Sequence, residues 1–209
     1  MIRPEGHPVL AAVLDVAMLP LARLRPGVVE QARGQVLEVG IGTGMNLPLY
    51  RGVTSLHAVE PDPYMLRRAR ERAYGLPFPV EISAAGGEAL PFPDASFDTV
   101  VATFVLCTIP DPEAAIAEAL RVLRPGGKLL FAEHVRSCVR PIFAVQRALE
   151  PAWRRLAGGC HLTRDPVALL REAGATDVEV RPRGAAWSLL PVVTGSASRA
   201  PPRAGPTDP

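Results

Sequence analysis

Val36-Leu37-Glu38-Val39-Gly40-Ile41-Gly42-Thr43-Gly44 is the stretch whose reading decides the fold. An apolar run rich in β-branched residues breaks into three glycines at alternate positions, the pattern of a buried strand that ends in a tight turn. Glycines there allow positive φ and let the backbone approach a ligand closely. A second apolar run, Leu56 to Val59, ends at Glu60, twenty residues after Gly40. A carboxylate at that place can accept both hydroxyls of a ribose. The first half of the chain therefore reads as a holder for a nucleoside-containing cofactor.

The glycine spacing narrows the cofactor. A dinucleotide fingerprint needs glycine at its first, third and sixth positions. Here the sixth position is Met45, and the third glycine comes one residue early, at Gly44. Glu38 stands two residues before the first glycine, where a carboxylate disfavours a pyrophosphate and favours a cation. The pattern Glu-x-Gly-x-Gly-x-Gly resembles the S-adenosylmethionine (SAM) loop of the class I methyltransferases. A nicotinamide or flavin nucleotide is the rival reading.

The bulk composition excludes several classes. With 209 residues the chain is long enough for one domain with a sizeable core. A net charge of +2, with no dense basic stripe interleaved with aromatics, gives no footprint for nucleic acid. Cys107, Cys138 and Cys160 are odd in number and widely spaced. That argues for a reducing compartment and against a structural metal site. The apolar stretch at 8–24 is interrupted by Asp15, Pro20 and Arg23 and is short for a membrane span. A cytoplasmic protein is expected, with membrane contact at most peripheral. The oligomeric state is not legible.

Strand and helix patterns alternate along the chain. Residues 8–24 place Leu10, Val13, Leu14, Ala17, Met18 and Leu21 on one helical face, read as a helix over the cofactor site. A helix is expected from Met45 to Tyr50 and another after Asp62-Pro63, an N-cap followed by proline. The second helix carries Arg67, Arg68, Arg70 and Arg72 as a solvated face. Strands are expected at 54–60, 80–83, 97–106, 128–134, 177–181 and 192–197. Helices are expected at 111–123, 141–156 and 164–173, and Arg124-Pro125-Gly126-Gly127 reads as a turn. The alternation predicts an α/β, Rossmann-like doubly wound sheet of seven strands, mainly parallel, with helices on both faces. The prediction is one domain over 1–198 and a disordered tail over 199–209. In such sheets ligands sit beyond the carboxyl ends of the strands, where Gly40, Glu60, Gly87, Thr103 and His134 all fall.

Further stretches resemble the small-molecule branch of the class I SAM-dependent methyltransferases: Glu60-Pro61, Ala89-Leu90-Pro91-Phe92-Pro93-Asp94 with Ser96-Phe97-Asp98, and Arg121-Val122-Leu123-Arg124-Pro125-Gly126-Gly127. Four more resemble the thiol S-methyltransferase group: Val105-Leu106-Cys107-Thr108-Ile109, Glu133-His134-Val135, Pro151-Ala152-Trp153, and Gly158-Gly159-Cys160-His161-Leu162-Thr163-Arg164-Asp165. The resemblance implies SAM as cofactor, with Gly40, Gly42 and Gly44 along its methionine and ribose. It implies Glu38 toward its cationic side, Glu60-Pro61 at the ribose, and the backbone of Gly87 and Glu88 at the adenine edge. Thr103, at the end of its strand, is counted with this cofactor set. Many relatives carry an aspartate where Gly86 stands here, and a Tyr-Asp pair where Leu14-Asp15 stands.

Methyl transfer to a small, mostly apolar acceptor is the expected chemistry, with a thiol first. The alternatives are C-methylation of a quinone or polyketide-like ring, N-methylation of a phospholipid headgroup, and a non-catalytic SAM-binding protein. His134 and His161 are the candidates for base or substrate orienter, against a histidine simply bonded to backbone. Cys107, Trp153 and Cys160 are candidates for lining the acceptor pocket, against plain packing. No metal is expected.

Overall fold

The structure is a computed structural model that describes residues 6, 8–185 and 187–201, the side chains at 10, 14 and 17 excepted. Seven strands form one sheet: β1 (Arg33–Val39), β2 (Gly52–Val59), β3 (Val80–Ser83), β4 (Phe97–Thr103), β5 (Leu123–His134), β6 (Thr176–Arg183) and β7 (Val192–Ser198). Their order is β3-β2-β1-β4-β5-β7-β6. The pairs β1–β2, β1–β4, β2–β3 and β4–β5 are parallel. β7 is antiparallel to both β5 and β6. The strand order reverses beside β1, so the glycine turn after β1 sits at the switch point, where such sheets bind ligands.

The central strands are apolar on both faces because helices cover both. Leu37, Val39, Val100, Leu129 and Phe131 join one buried cluster, and Val36, Leu56, Ala58, Val101 and Leu130 the other. The helices are α1 (Pro8–Ala17), α2 (Leu19–Ala22), α3 (Pro26–Val29), α4 (Pro63–Ala73), α5 (Pro112–Val122), α6 (Arg140–Leu156) and α7 (Pro166–Glu172). Asp62, Asp111 and Asp165 cap α4, α5 and α7, each accepting from backbone N–H groups of the first turn with proline beside the cap.

Several expectations change. The segment after the glycine turn makes only one 3-10 turn, Leu47–Leu49, because Tyr50 turns to extended backbone and feeds β2. The helix expected over 8–24 is broken at Met18, ahead of Pro20. Val13, placed on its inner face, is 48% exposed, while Ala11 is buried; Leu10, Leu14 and Ala17 lie outside the described side chains. The arginines of α4 are not all solvated: Arg68 and Arg72 turn back to Asp15 of α1. Residues 124–127 interrupt β5 as an irregularity rather than precede it, since Leu123 already pairs with Phe97. Arg199, assigned to the tail, is held by backbone bonds to Gly126 and Gly127. The expectation for 202–209 lies outside the described residues.

Candidate active site

The turn after β1 is built so that only glycine fits. Gly40, Gly42 and Gly44 all have positive φ, at 67°, 57° and 86°. A Cβ on Gly40 would stand 2.4 Å from Val105 Cγ2. Gly40 and Ile41 donate their N–H groups to Val59, which ties the turn to the end of β2. α1 reaches the same turn, where Thr43 Oγ1 donates to Asp15 at 2.5 Å. Arg72 bridges Asp15, the Thr43 carbonyl and its hydroxyl.

Glu60 lies at the end of β2, 6% exposed. One carboxylate oxygen accepts from Gly42 N at 2.8 Å and the other from Asp62 N at 2.9 Å. Each oxygen has a further acceptor position, so the group can still take two hydroxyls. Burial, chiefly, raises its pKa above the ordinary carboxylate value. Pro61 beside it is exposed. A left-handed glycine turn next to a strand-end carboxylate suits a nucleoside cofactor. Glu88 is half-buried, whereas Gly87 is buried, and a Cβ there would press on Val39 at 2.7 Å and Ile109 at 2.9 Å. Gly87 thus has a packing reason to be glycine, independent of any adenine contact.

Glu38 is enclosed rather than presented. It is 1% exposed. Asn46 Nδ2 donates to it at 2.7 Å and Tyr50 OH at 2.8 Å. Arg25 donates to Asn46 Oδ1 at 2.8 Å and to Thr103 Oγ1 at 2.9 Å, and Asn46 also donates to Thr103. Thr103 is therefore the hub of a buried network under the turn. Burial pushes the Glu38 carboxyl up to about 7, opposed by Tyr50, Asn46 and the Arg25 charge. No spacing in the sequence pointed to Arg25, Asn46 or Tyr50, since Arg25 comes from a segment before β1 and the other two from the segment after the glycine turn.

The end of β5 carries the second group. Glu133 is fully buried and accepts from Val105 N and Leu106 N at 3.0 Å and Cys107 N at 3.1 Å. It fixes the loop after β4, a role the sequence reading missed; the only signal was an acid inside an apolar strand. The stretch from Gly158 to Arg164 is anchored to that loop. His161 N donates to Cys107 O at 2.8 Å, and Arg164 donates to Leu106 O at 2.9 Å and Ile109 O at 2.7 Å. Thr163 donates twice to Glu150 of α6, and Leu162 is buried. The His161 side chain also turns to Glu150, with Nδ1 3.3 Å from Oε1. Burial, helped by Arg164 and Arg154, lowers the pKa of His161.

Cys160 is the residue of that stretch whose side chain faces inward to other chemistry. Its Sγ is 4.0 Å from His134 Nδ1. His134 Nε2 is buried without a hydrogen-bond partner, and the buried Trp153 Nε1 faces the Cys160 sulfur. The neighbouring Cys107 thiol, foremost, pulls the Cys160 pKa down against burial, with His134 and the Trp153 indole adding, to about 4. Cys107 moves the other way, well above the ordinary thiol range, because it donates to Cys160 and is buried. The structure thus brings His134, Cys107, Trp153 and Cys160 together and turns His161 away to Glu150. Among the described residues no group of three or more His, Cys, Asp or Glu side chains could hold a metal ion.

Comparison with known proteins identifies the family. Residues 37–131 match the family model described as a methyltransferase domain. Thiol S-methyltransferase TMT1B of Homo sapiens is 33% identical over 77% of this chain and 68% of its own length. Phosphatidylethanolamine N-methyltransferase of Cereibacter sphaeroides is 41% identical over 56% of this chain and 58% of its own. A solved SAM-dependent methyltransferase of Thermotoga maritima has a TM-score of 0.65 at 21% identity, covering 91% of this chain and 97% of that one, a likeness of fold alone. The chain belongs to the class I SAM-dependent methyltransferases, whose cofactor is S-adenosylmethionine. Within them it is related to the thiol S-methyltransferase group. It spans only about 58% to 68% of the length of the two curated relatives named.

Proposed function

We propose that the protein transfers a methyl group from SAM to a small, mostly apolar acceptor whose reacting atom is a thiol sulfur. The observation that carries this reading is His134 Nε2, a buried ring nitrogen beside Cys160 that lacks a partner. Buried polar groups are rarely left unpaired, so this nitrogen suits a substrate atom. Gly40, Gly42, Gly44, Glu60-Pro61 and the backbone of Gly87 and Glu88 hold the cofactor. Thr103 and Glu38 support the turn from below.

SAM supplies, when bound, a methyl group on a sulfonium, displaced in line. The chain's own residues orient and deprotonate the acceptor. His134 Nδ1–H points to the Cys160 thiolate, which selects the tautomer with a free lone pair on Nε2. Nε2 then takes the acceptor's S–H proton, and the Cys160 thiolate steadies the imidazolium that forms. Trp153 Nε1–H stays with the Cys160 sulfur and helps to hold it as the thiolate. A thiol of pKa about 8.5 is already partly ionised near neutrality, so the base assists modestly and position matters more. His161 serves as a tether between the Cys160 stretch and α6 rather than as the base. The reading includes a cytoplasmic location and no nucleic-acid partner.

Turnover of labelled SAM with thiols, a phosphatidylethanolamine and a quinone, followed by mass spectrometry of the products, tests the reading. Methylated thiols are expected. Turnover of the quinone or the phospholipid with no thiol product overturns it. Headgroup N-methylation is the second reading, favoured by the similarity to phosphatidylethanolamine N-methyltransferase. Binding of SAM with no turnover of any acceptor would instead mark a non-catalytic SAM-binding protein.

A further inference from the structure

The segment that carries Cys160 runs against the loop that carries Cys107. Just after Cys160, His161 N donates to Cys107 O at 2.8 Å, and Arg164 donates to Leu106 O and Ile109 O. Just before it, a Cβ on Gly159 would stand 3.5 Å from Thr108 O. Backbone contacts on both sides of a residue bring Cα atoms near the ~4.4–6.8 Å that a disulfide spans. The side chains meet as well, since the Cys107 thiol donates to the Cys160 sulfur. Both cysteines are free; Cys107 is buried and Cys160 partly exposed. Their anchoring differs. Glu133 holds the loop at 105–107 through three N–H groups. Gly158 and Gly159, both at positive φ, leave the backbone leading into Cys160 freer to shift.

We infer that Cys107 and Cys160 form a reversible disulfide when the protein meets a hydroperoxide, and that this linkage switches the site off. Cys160 reacts first, because it is partly exposed and its sulfur is the thiolate, steadied by Cys107, His134 and Trp153. It attacks one peroxide oxygen. An S–O bond forms, the O–O bond breaks, and the other oxygen leaves as an anion that solvent protonates. The sulfur is oxidised by two electrons to a sulfenic acid and the peroxide is reduced. Cys107, already in contact, then attacks that sulfur. An S–S bond forms, the S–O bond breaks, and the thiol proton leaves with the hydroxide as water. Burial keeps Cys107 from meeting the oxidant itself, which fixes the order. The linkage removes the thiolate that faces His134 Nδ1, so the imidazole loses the partner that selects its tautomer. That effect on turnover rests on the mechanism proposed above; the linkage itself does not. A transient disulfide of this kind is the form that suits a reducing compartment.

The test treats the reduced full chain with hydrogen peroxide, blocks remaining thiols with N-ethylmaleimide in denaturant, and reads the product by non-reducing peptide mass spectrometry. A linked pair of peptides holding Cys107 and Cys160, two hydrogens lighter than the reduced pair, is expected. Turnover should fall about tenfold or more as the linkage forms and return with dithiothreitol. Cys138→Ser should form the same linkage, since Cys138 is exposed and outside the site. Cys107→Ala removes the second thiol, so peroxide should carry Cys160 on to the sulfinic acid, which dithiothreitol does not reverse. Linkage in a chain that methylates no thiol supports the inference and counts against the acceptor reading alone. Sulfinic acid at Cys160 in the parent, a linkage that uses Cys138, or three cysteines that stay reduced under peroxide overturns it.

Discussion

The Nδ1 atom of His134 stands 4.0 Å from the Sγ atom of Cys160, joining the end of β5 to a segment twenty-six residues further along. The contact depends on Glu133 holding the backbone of 105–107 and on His161 and Arg164 tying the Cys160 segment to that same loop. Two anchors of the same loop, one on its N–H groups and one on its carbonyls, set the geometry of the site.

Cys160 should behave as a thiolate well below the range of an ordinary cysteine. Its pKa is pushed down to about 4, first by the Cys107 thiol and then by His134 and Trp153. Alkylation by iodoacetamide, followed by peptide mass spectrometry, should label Cys160 at a rate nearly constant from about pH 6 to 8, because the thiolate fraction is already saturated. Cys107→Ala should restore a rate that climbs toward pH 8.5. A parent rate that climbs in the same way contradicts the thiolate assignment.

His134→Gln should reduce kcat for a thiol acceptor by about tenfold to a hundredfold, the lower end of general-base effects, because the thiol is partly self-ionised. The pH profile is the sharper readout. In the variant, kcat should rise with the acceptor's own ionisation, while the parent stays flatter near neutrality. His161→Gln should leave that profile unchanged.

Removing the carboxylate at Glu60 should weaken SAM binding. Hydrogen bonds to charged groups contribute about 1.5–3 kcal/mol each, so Glu60→Ala predicts a loss of roughly 10- to 150-fold in calorimetric affinity for each hydroxyl it releases. The change also strands Gly42 N and Asp62 N, so the melting temperature should fall with it. Unchanged affinity would remove Glu60 from the cofactor site.

Gly40→Ala and Gly126→Ala form a matched pair. Both glycines have positive φ, at 67° and 76°. A Cβ at Gly40 meets Val105, whereas nothing lies within 4 Å of one at Gly126. The Gly126 change should cost about 1–2 kcal/mol for its backbone conformation alone. The Gly40 change should add about 1–3 kcal/mol of overpacking. Equal shifts in denaturant midpoint would show that Val105 moves aside freely.

Stability should decline as pH rises from about 4.5 to 7, in part through Glu38 and Glu133. Burial, foremost, raises both carboxyls from 4.5 to about 7 in the folded chain. A carboxyl with the higher pKa when folded favours folding while protonated. Its contribution is complete below the unfolded value and is lost as pH rises through the folded one. Glu38→Gln should flatten the melting temperature across this window. A slope as steep as the parent's would assign the effect elsewhere.

Much of the fold was legible because local rules were enough. Apolar runs ending in Gly40 and Glu60, and the caps at Asp62, Asp111 and Asp165, are signals written within a few residues. The irregularity at 124–127 was misread because a Pro-Gly-Gly stretch looks like a turn whether or not its flanks pair with a neighbour. The arginines of α4 were misread because their partner, Asp15, lies more than fifty residues away.

The sequence by itself determined the alternating strands and helices, the glycine turn, the carboxylate at the end of β2 and hence the class of cofactor. These follow from periodicity, positive φ and spacing along one chain. Only the tertiary structure decided that Glu38 is enclosed by Asn46 and Tyr50, that Thr103 joins Arg25, and that Cys160 faces His134 while His161 faces Glu150. It also decided the place of β7 between β5 and β6. The physical reason is the same in each case: burial, charge pairing and exposure belong to neighbours in space, and those neighbours come from strands, loops and helices far apart in the chain.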